Sequence, residues 1–262
     1  MKHICITGAS SGLGAALALA YAQAGSLLTL WARDETRLAA TAEACKGKGA
    51  ATAVVAADLR DHRAARETLA GLDDANPVDV VFLAAGVITG IPPGGNRESA
   101  EDAFRTMDVN ALGSLNLAAC LFERMCARGS GHLIFVSSIA GLYPLPNSPS
   151  YSASKIAVSY YARGLAAIGR RFGVRVSCVY PGYLETPMGR RLKALKPFAL
   201  PPDKAADLIR SRLEKGKDRV VFPLAAALGV YFLHVLPKPL ADRLALKAGY
   251  RVVPDRESNT YA

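Results

Sequence analysis

The chain has 262 residues, of which 51% are hydrophobic and 21% are charged, so it can bury a sizeable core and is not disordered. Five scattered cysteines without a CxxC pair argue against a disulfide framework and against a metal site, and they favour a reducing compartment. The net charge of +10 lies mainly after residue 186, where 15 Lys and Arg residues stand against 7 Asp and Glu residues. No nucleic-acid-binding motif accompanies this charge, so we expect no nucleic-acid partner.

Short apolar segments rich in β-formers alternate with alanine-rich segments of helical pattern along most of the chain. This alternation predicts a parallel sheet covered on both faces, and right-handed crossovers make it a Rossmann-like, doubly wound α/β fold of about seven strands. The predicted strands are His3–Ile6, Ser26–Trp31, Thr52–Ala56, Val78–Leu83, His132–Val136 and Arg175–Val179. The predicted helices are Leu13–Ala24, Glu35–Cys45, Arg60–Leu72, Glu101–Arg128 and Ala153–Arg170. Because a strand pattern begins at His3, we expect no signal peptide and a cytoplasmic location.

A glycine-rich segment, TGASSGLG at residues 7–14, joins the first predicted strand to the first predicted helix. Glycines at such a turn let backbone N–H groups approach a pyrophosphate, and the helix N-terminus adds partial positive charge. The segment therefore predicts a dinucleotide site. The residues expected to hold its phosphates are Gly8, Ser10, Ser11, Gly12, Leu13 and Gly14.

The spacing of this loop, together with motifs over roughly residues 1–200, resembles the short-chain dehydrogenase/reductase family. Asp58-Leu59 resembles the family's adenine-binding pair, and Ala84-Ala85-Gly86 resembles its Asn-Ala-Ala-Gly element, although Leu83 stands in place of the first Asn. The resemblance implies a catalytic tetrad and a Pro-Gly-x-x-x-Thr element that contacts the nicotinamide. The matching residues are Asn110, Ser138, Tyr151 and Lys155 for the tetrad, and Pro181, Gly182, Leu184 and Thr186 for the second element.

Tyr151 and Lys155 are four residues apart and share one face of a predicted helix. A free tyrosine has a pKa near 10, and an adjacent ammonium is expected to lower it so that Tyr151 acts as acid and base. By the resemblance, Lys155 also binds the nicotinamide ribose, Ser138 binds the substrate oxygen, and Asn110 holds a water of a proton relay. The resemblance further implies hydride transfer between the nicotinamide and a carbonyl or alcohol, and a homodimer or homotetramer paired through long helices.

The cofactor type is predicted from the end of the second strand, where Ala32 and Arg33 stand in place of a carboxylate. A carboxylate would bind the ribose hydroxyls of NAD, whereas Arg33 can form charge-assisted bonds to the 2′-phosphate of NADP. We therefore expect NADP, with NAD the less favoured cofactor. In the alternative interpretation, Arg33 is a solvated residue at a helix start and Asp34 is an N-cap.

By the resemblance, Pro201–Lys215 is expected to form a helix and Arg219–Pro223 a last strand. After residue 223 the chain departs from the family pattern. Residues 1–223 are expected to form the catalytic domain, with a helical substrate lid at about 187–203 and a pocket wall at 142–149. Residues 224–262 are expected to form an apolar and basic helical extension. This extension could cap the substrate site, pack against another subunit, contact a membrane surface or, least expected, span a membrane. The functional alternatives are a reductase of lipid-like ketones resembling 3-ketosphinganine reductases or hydroxysteroid dehydrogenases, and a non-catalytic NADP-binding sensor.

Overall fold

The computed structural model describes residues 1–196, 198–248 and 250–253. At its centre lies a parallel sheet of seven strands in the order β3-β2-β1-β4-β5-β6-β8, which confirms the predicted doubly wound topology. A separate antiparallel pair is formed by β7 and β9. The strands are β1 Lys2–Thr7, β2 Ser26–Ala32, β3 Ala51–Ala56, β4 Val80–Leu83, β5 Gly131–Val136, β6 Val174–Pro181, β7 Leu192–Lys193, β8 Arg219–Phe222 and β9 Arg251–Val252.

Helices cover both faces of the sheet, as its near-continuous apolar strands require. They are α1 Gly12–Tyr21, α2 Glu35–Lys46, α3 His62–Ala75, α4 Ala100–Met107, α5 Ser114–Arg128, α6 Pro149–Gly169, α7 Pro187–Arg190, α8 Pro202–Glu214, α9 Leu224–Phe232 and α10 Lys238–Ala248. Side chains of α1, α2 and α8 pack into one buried core, and those of α3, α5 and α6 pack into a second core on the opposite face.

The predicted helix Glu101–Arg128 is interrupted. Between α4 and α5 the backbone forms a π-helical segment, Asp108–Gly113, in which hydrogen bonds run one residue further than in an α-helix. Single π-helical turns occur often at functional sites, and this one carries Asn110. The uniform helical pattern of the sequence contains no signal for the change.

The prediction of a helical lid at about 187–203 is wrong beyond α7. After Arg190 the chain leaves the helix, and Leu192–Lys193 pairs with Arg251–Val252 near the other end of the extension. The Val253 N–H also donates to the Arg191 carbonyl at 3.0 Å, so pairing with a distant strand competes with helix formation. The predicted lid and extension include Pro197, Gly249 and residues 254–262, which lie outside the described residues.

The extension is helical, as expected, with a 3-10 turn at Leu233–Val235 between α9 and α10. Residues 220–237 carry no Asp, Glu, Lys or Arg, and of this apolar stretch the first residues belong to strand β8 and only nine form α9. In the described part of the chain, every helix is too short or too polar to cross a membrane.

Thr7 joins the ends of β1 and β4 beneath the predicted cofactor site. Its hydroxyl donates to the Phe82 carbonyl at 3.3 Å and accepts the N–H groups of Ala84 and Ala85 at 2.9 and 3.0 Å. These bonds fix the two residues that directly follow Leu83. Leu83 itself stands where the family pattern has an Asn. A side chain from β1 therefore ties the two strands at this point.

Replacing Thr7 with Val should lower the free energy of unfolding by about 1–3 kcal/mol, because two part-buried N–H groups lose their acceptor. Urea unfolding measures the change. Thr52→Val is the matched control, since the Thr52 hydroxyl is buried without a hydrogen-bond partner among the described residues. This second variant should be neutral or stabilised, and an equal loss in both variants would contradict the assigned role of Thr7.

Candidate active site

The loop from β1 to α1, here called the glycine cradle, is packed so closely that it leaves no room for side chains at Gly8 and Gly14. Gly8 has a φ of +72°, and a Cβ there would lie 2.8 Å from the Cα of Ala85. A Cβ on Gly14 would overlap the Gly8 carbonyl. The Ser11 side chain makes no capping hydrogen bond to the first turn of α1. The N-terminus of α1 therefore faces the loop with backbone donors suited to an anion.

One cleft of about 1610 Å³ runs from this loop across the carboxyl ends of the strands to the extension. It is lined by every predicted site residue except Asn110, which lies behind its wall. The structure thus brings together Gly8, Ser10, Ser11, Gly12, Leu13, Gly14, Arg33, Asp58, Leu59, Ala84, Ala85, Gly86, Ser138, Tyr151, Lys155, Pro181, Gly182, Leu184 and Thr186. In the described part of the chain, no cluster of His, Cys, Asp or Glu could hold a metal.

Charged residues gather at the end of the cleft beyond β2 and β3. Arg33 lies 3.8 Å from the Asp58 carboxylate, and Arg60 binds the same carboxylate more closely, at 2.8 Å. Burial opposes ionisation of Asp58, but the hydrogen bonds from Arg60 prevail and lower its pKa. Asp34 caps α2 by accepting the Arg37 N–H at 2.9 Å. This N-cap was expected in the alternative interpretation, in which Arg33 is a solvated residue at the helix start. Sequence reasoning missed Arg60, although it directly follows Asp58-Leu59, the pair expected to bind adenine.

Tyr151 and Lys155 lie in the first two turns of α6, which begins at Pro149, a residue suited to the first helical turn. The Lys155 side chain is buried, and its ammonium donates to the Val136 carbonyl at 3.0 Å. The same nitrogen lies 5.6 Å from the centre of the Tyr151 ring. The structure therefore places the predicted pair side by side on α6.

Burial shifts both residues towards their neutral forms. It raises the pKa of Tyr151 to about 12, partly offset by a hydrogen bond with Ser138, and it lowers the pKa of Lys155 to about 8. The sequence led us to expect the opposite shift for Tyr151. In this arrangement the ammonium is directed at a backbone carbonyl, so the loss of hydration outweighs its attraction for the phenolate.

Asn110 is buried in the π-helical segment and fastens it to two other elements. Its Nδ2 donates to the Val87 carbonyl at 2.9 Å and to the Ser154 hydroxyl at 3.1 Å, while its Oδ1 accepts the Val87 N–H at 2.7 Å. Both amide protons are thus occupied within the protein. A water at this residue would have to bind one of its oxygen atoms.

Ser138 follows β5 and faces the same part of the cleft as Tyr151. Its hydroxyl accepts the Ala140 N–H at 3.1 Å and approaches the Pro181 carbonyl at 3.4 Å. The second distance is long for a bond between a hydroxyl and a carbonyl, so its proton is only weakly held. Ser138 can therefore turn its proton towards a ligand oxygen.

The far end of the cleft is walled by apolar side chains. Of the two segments predicted to form it, residues 142–149 contribute Leu145, whereas residues 188–195 contribute several groups, among them Met188 and Leu192. The extension, for which a cap over the substrate site was one of the expected roles, supplies the remaining wall. Its lining residues are Ala226, Gly229, Val230, Leu233, Leu244, Ala245, Lys247 and Tyr250.

Comparison with known proteins identifies the family of the chain. A sequence model of the short chain dehydrogenase family matches residues 2–196. An uncharacterized oxidoreductase of Myxococcus xanthus is 32% identical over 241 residues, covering 92% of this chain and 94% of that protein. The chain belongs to the short-chain dehydrogenase/reductase family, whose members are oxidoreductases that use nicotinamide cofactors.

Two solved structures of similar fold were determined with different nicotinamide cofactors. A short-chain dehydrogenase from Sphingobium yanoikuyae in complex with NADPH has a TM-score of 0.76 and 26% identity, covering 92% of this chain and 95% of the other. An NAD⁺-bound xylitol dehydrogenase shares the fold with a TM-score of 0.65 and 24% identity, covering 70% of each chain.

Proposed function

We propose that this protein is an NADP(H)-dependent carbonyl reductase, or alcohol dehydrogenase in the reverse direction, with Tyr151 as its acid and base. The observation that carries this proposal is the buried Tyr151–Lys155 pair, which lies with Ser138 in one cleft with the glycine-rich loop. A non-catalytic sensor is the poorer explanation, because neither member of the pair has been lost.

The glycine cradle and the free N-terminus of α1 fit a dinucleotide pyrophosphate. In the proposal, the loop residues and Asp58, Leu59 and 84–86 hold the nucleotide half, while Lys155 and 181–186 hold the nicotinamide half. When bound, the nicotinamide supplies or accepts a hydride. The protein's own groups orient the substrate and manage the proton.

In reduction, Ser138 donates a hydrogen bond to the carbonyl oxygen and Tyr151 gives that oxygen its proton. A phenol with a pKa near 12 is fully protonated at neutral pH, so Tyr151 is ready to act as donor. Lys155 stabilises the phenolate that remains. A water on an oxygen of Asn110 connects the ammonium with solvent.

Replacing Tyr151 with Phe should lower NADPH-dependent ketone reduction by about 10²–10⁴-fold, the usual contribution of general acid catalysis. NADPH affinity should stay near the wild-type value, because the ring remains. Steady-state rates and fluorescence titration measure the two effects. Tyr160→Phe is the matched control, since Tyr160 lies on the same helix and is 64% exposed. Turnover retained in Tyr151→Phe would refute the mechanism.

The preference for NADP rests on the charges beyond β2. Arg33 is 43% exposed and can turn towards a 2′-phosphate, while Arg60 neutralises Asp58, the carboxylate that would otherwise repel it. The NADPH complex of the related structure from Sphingobium yanoikuyae supports the same choice. NADPH should therefore bind more tightly than NADH.

Arg33→Ala should weaken NADPH binding by about 10- to 100-fold, the loss of a charged hydrogen bond, and leave NADH binding nearly unchanged. Fluorescence titration with both cofactors measures the difference. Arg63→Ala is the control, because Arg63 pairs with Glu67 on α3 outside the cleft. Equal weakening of both cofactors in Arg33→Ala, or tighter NADH binding by the wild type, would overturn the assignment.

The substrate is proposed to be apolar or lipid-like, in keeping with the side chains that line the far end of the cleft. A reductase of the 3-ketosphinganine or hydroxysteroid type is the more specific alternative. In this proposal the catalytic domain spans residues 1–223, and the extension from residue 224 caps its substrate site.

We also propose a cytoplasmic location, peripheral contact with a membrane and a homo-oligomeric state. The described cysteines are all free, as in a reducing cytoplasm. The outer face of the extension exposes Leu228, Phe232 and Val235 near Lys238, which supports peripheral contact with the inner face of a membrane. Leu112 and Ile168 are exposed beside α5 and on α6, which supports pairing of subunits into a homodimer or homotetramer.

A further inference from the structure

The extension carries one polar side chain deep into the apolar part of the cleft. Tyr250, between α10 and β9, is 4% exposed and lines the cleft. It packs with Ile88, Leu192 and Val252 in a buried cluster against which Tyr151 also rests. The two tyrosines are therefore neighbours, one from the catalytic helix and one from the C-terminal region.

The position of Tyr250 is fixed from several sides. Next to it, β9 pairs with β7, the Val252 N–H donates to the Ile91 carbonyl at 3.1 Å, and the Val253 N–H donates to the Arg191 carbonyl at 3.0 Å. Asn147 donates to the Leu246 carbonyl at 3.3 Å and ties the preceding helix to the pocket wall. The ring is thus held by backbone contacts and does not swing freely.

The Tyr250 hydroxyl is buried, and within the described residues it forms no hydrogen bond of good geometry. Ser148 is close enough to affect its pKa, but the Ser148 proton is given to the Thr89 carbonyl. The pKa of Tyr250 lies well above its ordinary value because of burial first and the nearby Tyr151 second. Its proton therefore stays on the oxygen and needs an acceptor, since a buried unpaired hydroxyl is costly.

We propose that the Tyr250 hydroxyl binds a second oxygen of the substrate, so that the preferred substrates are apolar ketones that carry another oxygen next to the reacting carbonyl. This inference rests on the proposed function, because Tyr151 defines where the reacting carbonyl lies. A vicinal diketone or an α-hydroxy ketone offers an acceptor at the required place, and a simple ketone leaves the hydroxyl unpaired.

The test compares 2,3-octanedione with 2-octanone in the wild type and in Tyr250→Phe. The variant should raise KM for the dione about three- to tenfold, the usual effect of one lost hydrogen bond, while kcat and the kinetics with 2-octanone stay nearly unchanged. Tyr143→Phe is the matched control, because Tyr143 is buried against the same extension but does not line the cleft. Equal effects of Tyr250→Phe on both ketones, or none on either, would overturn the inference.

A binding experiment separates this inference from the proposed function. Alcohols cannot react with NADPH-loaded protein, so calorimetric titration with 2,3-octanediol and 2-octanol reports recognition without turnover. The wild type should bind the diol more tightly, and Tyr250→Phe should abolish that advantage. Absence of turnover with this selectivity intact would refute the reductase proposal alone. Failure of the wild type to distinguish the diol from 2-octanol would refute the role of Tyr250.

Discussion

The active centre depends on the burial of an ammonium and a phenol on adjacent turns of one helix. Removing a charged lysine from water is costly unless the protein supplies an acceptor. Here the Val136 carbonyl at the end of β5 provides it, at 3.0 Å from the Lys155 nitrogen. Ser137 fastens the helix to the same strand by donating to the Lys155 carbonyl at 2.8 Å. The end of β5 and α6 therefore hold the catalytic pair as one unit.

The rest of the fold serves this unit by bringing strand ends to a common edge. Thr7 fixes the loop that follows β4, and Asn110 fixes its continuation at Val87 while also holding Ser154 on α6. The glycine cradle, Ser138 and Tyr151 therefore lie in one cleft. The extension completes the apolar end, so the proposed selectivity comes from a segment outside the shared family pattern.

The sequence predicted the parts of this structure that depend on local pattern. Buried parallel strands appear in the sequence as continuous apolar segments. The loop at residues 7–14 needs glycines, and their spacing can be recognised in the sequence. The pairing of Leu192–Lys193 with Arg251–Val252 was not predictable, because two-residue strands far apart in the chain have no periodicity. The position of Tyr250 follows from that pairing. The raised pKa of Tyr151 was missed because it depends on burial and on the direction of the Lys155 side chain.

In the proposed mechanism, burial keeps Tyr151 protonated until positive charge in the cofactor site favours its phenolate. NMR of ¹³Cζ-labelled tyrosine, with Tyr151 assigned from Tyr151→Phe, measures its ionisation directly. The free protein should show no ionisation of Tyr151 up to a pH of about 10.5, because burial raises its pKa to about 12. With NADP⁺, whose nicotinamide ring is positively charged, ionisation should move to lower pH. Titration of Tyr151 at the same pH with and without NADP⁺ would contradict the account.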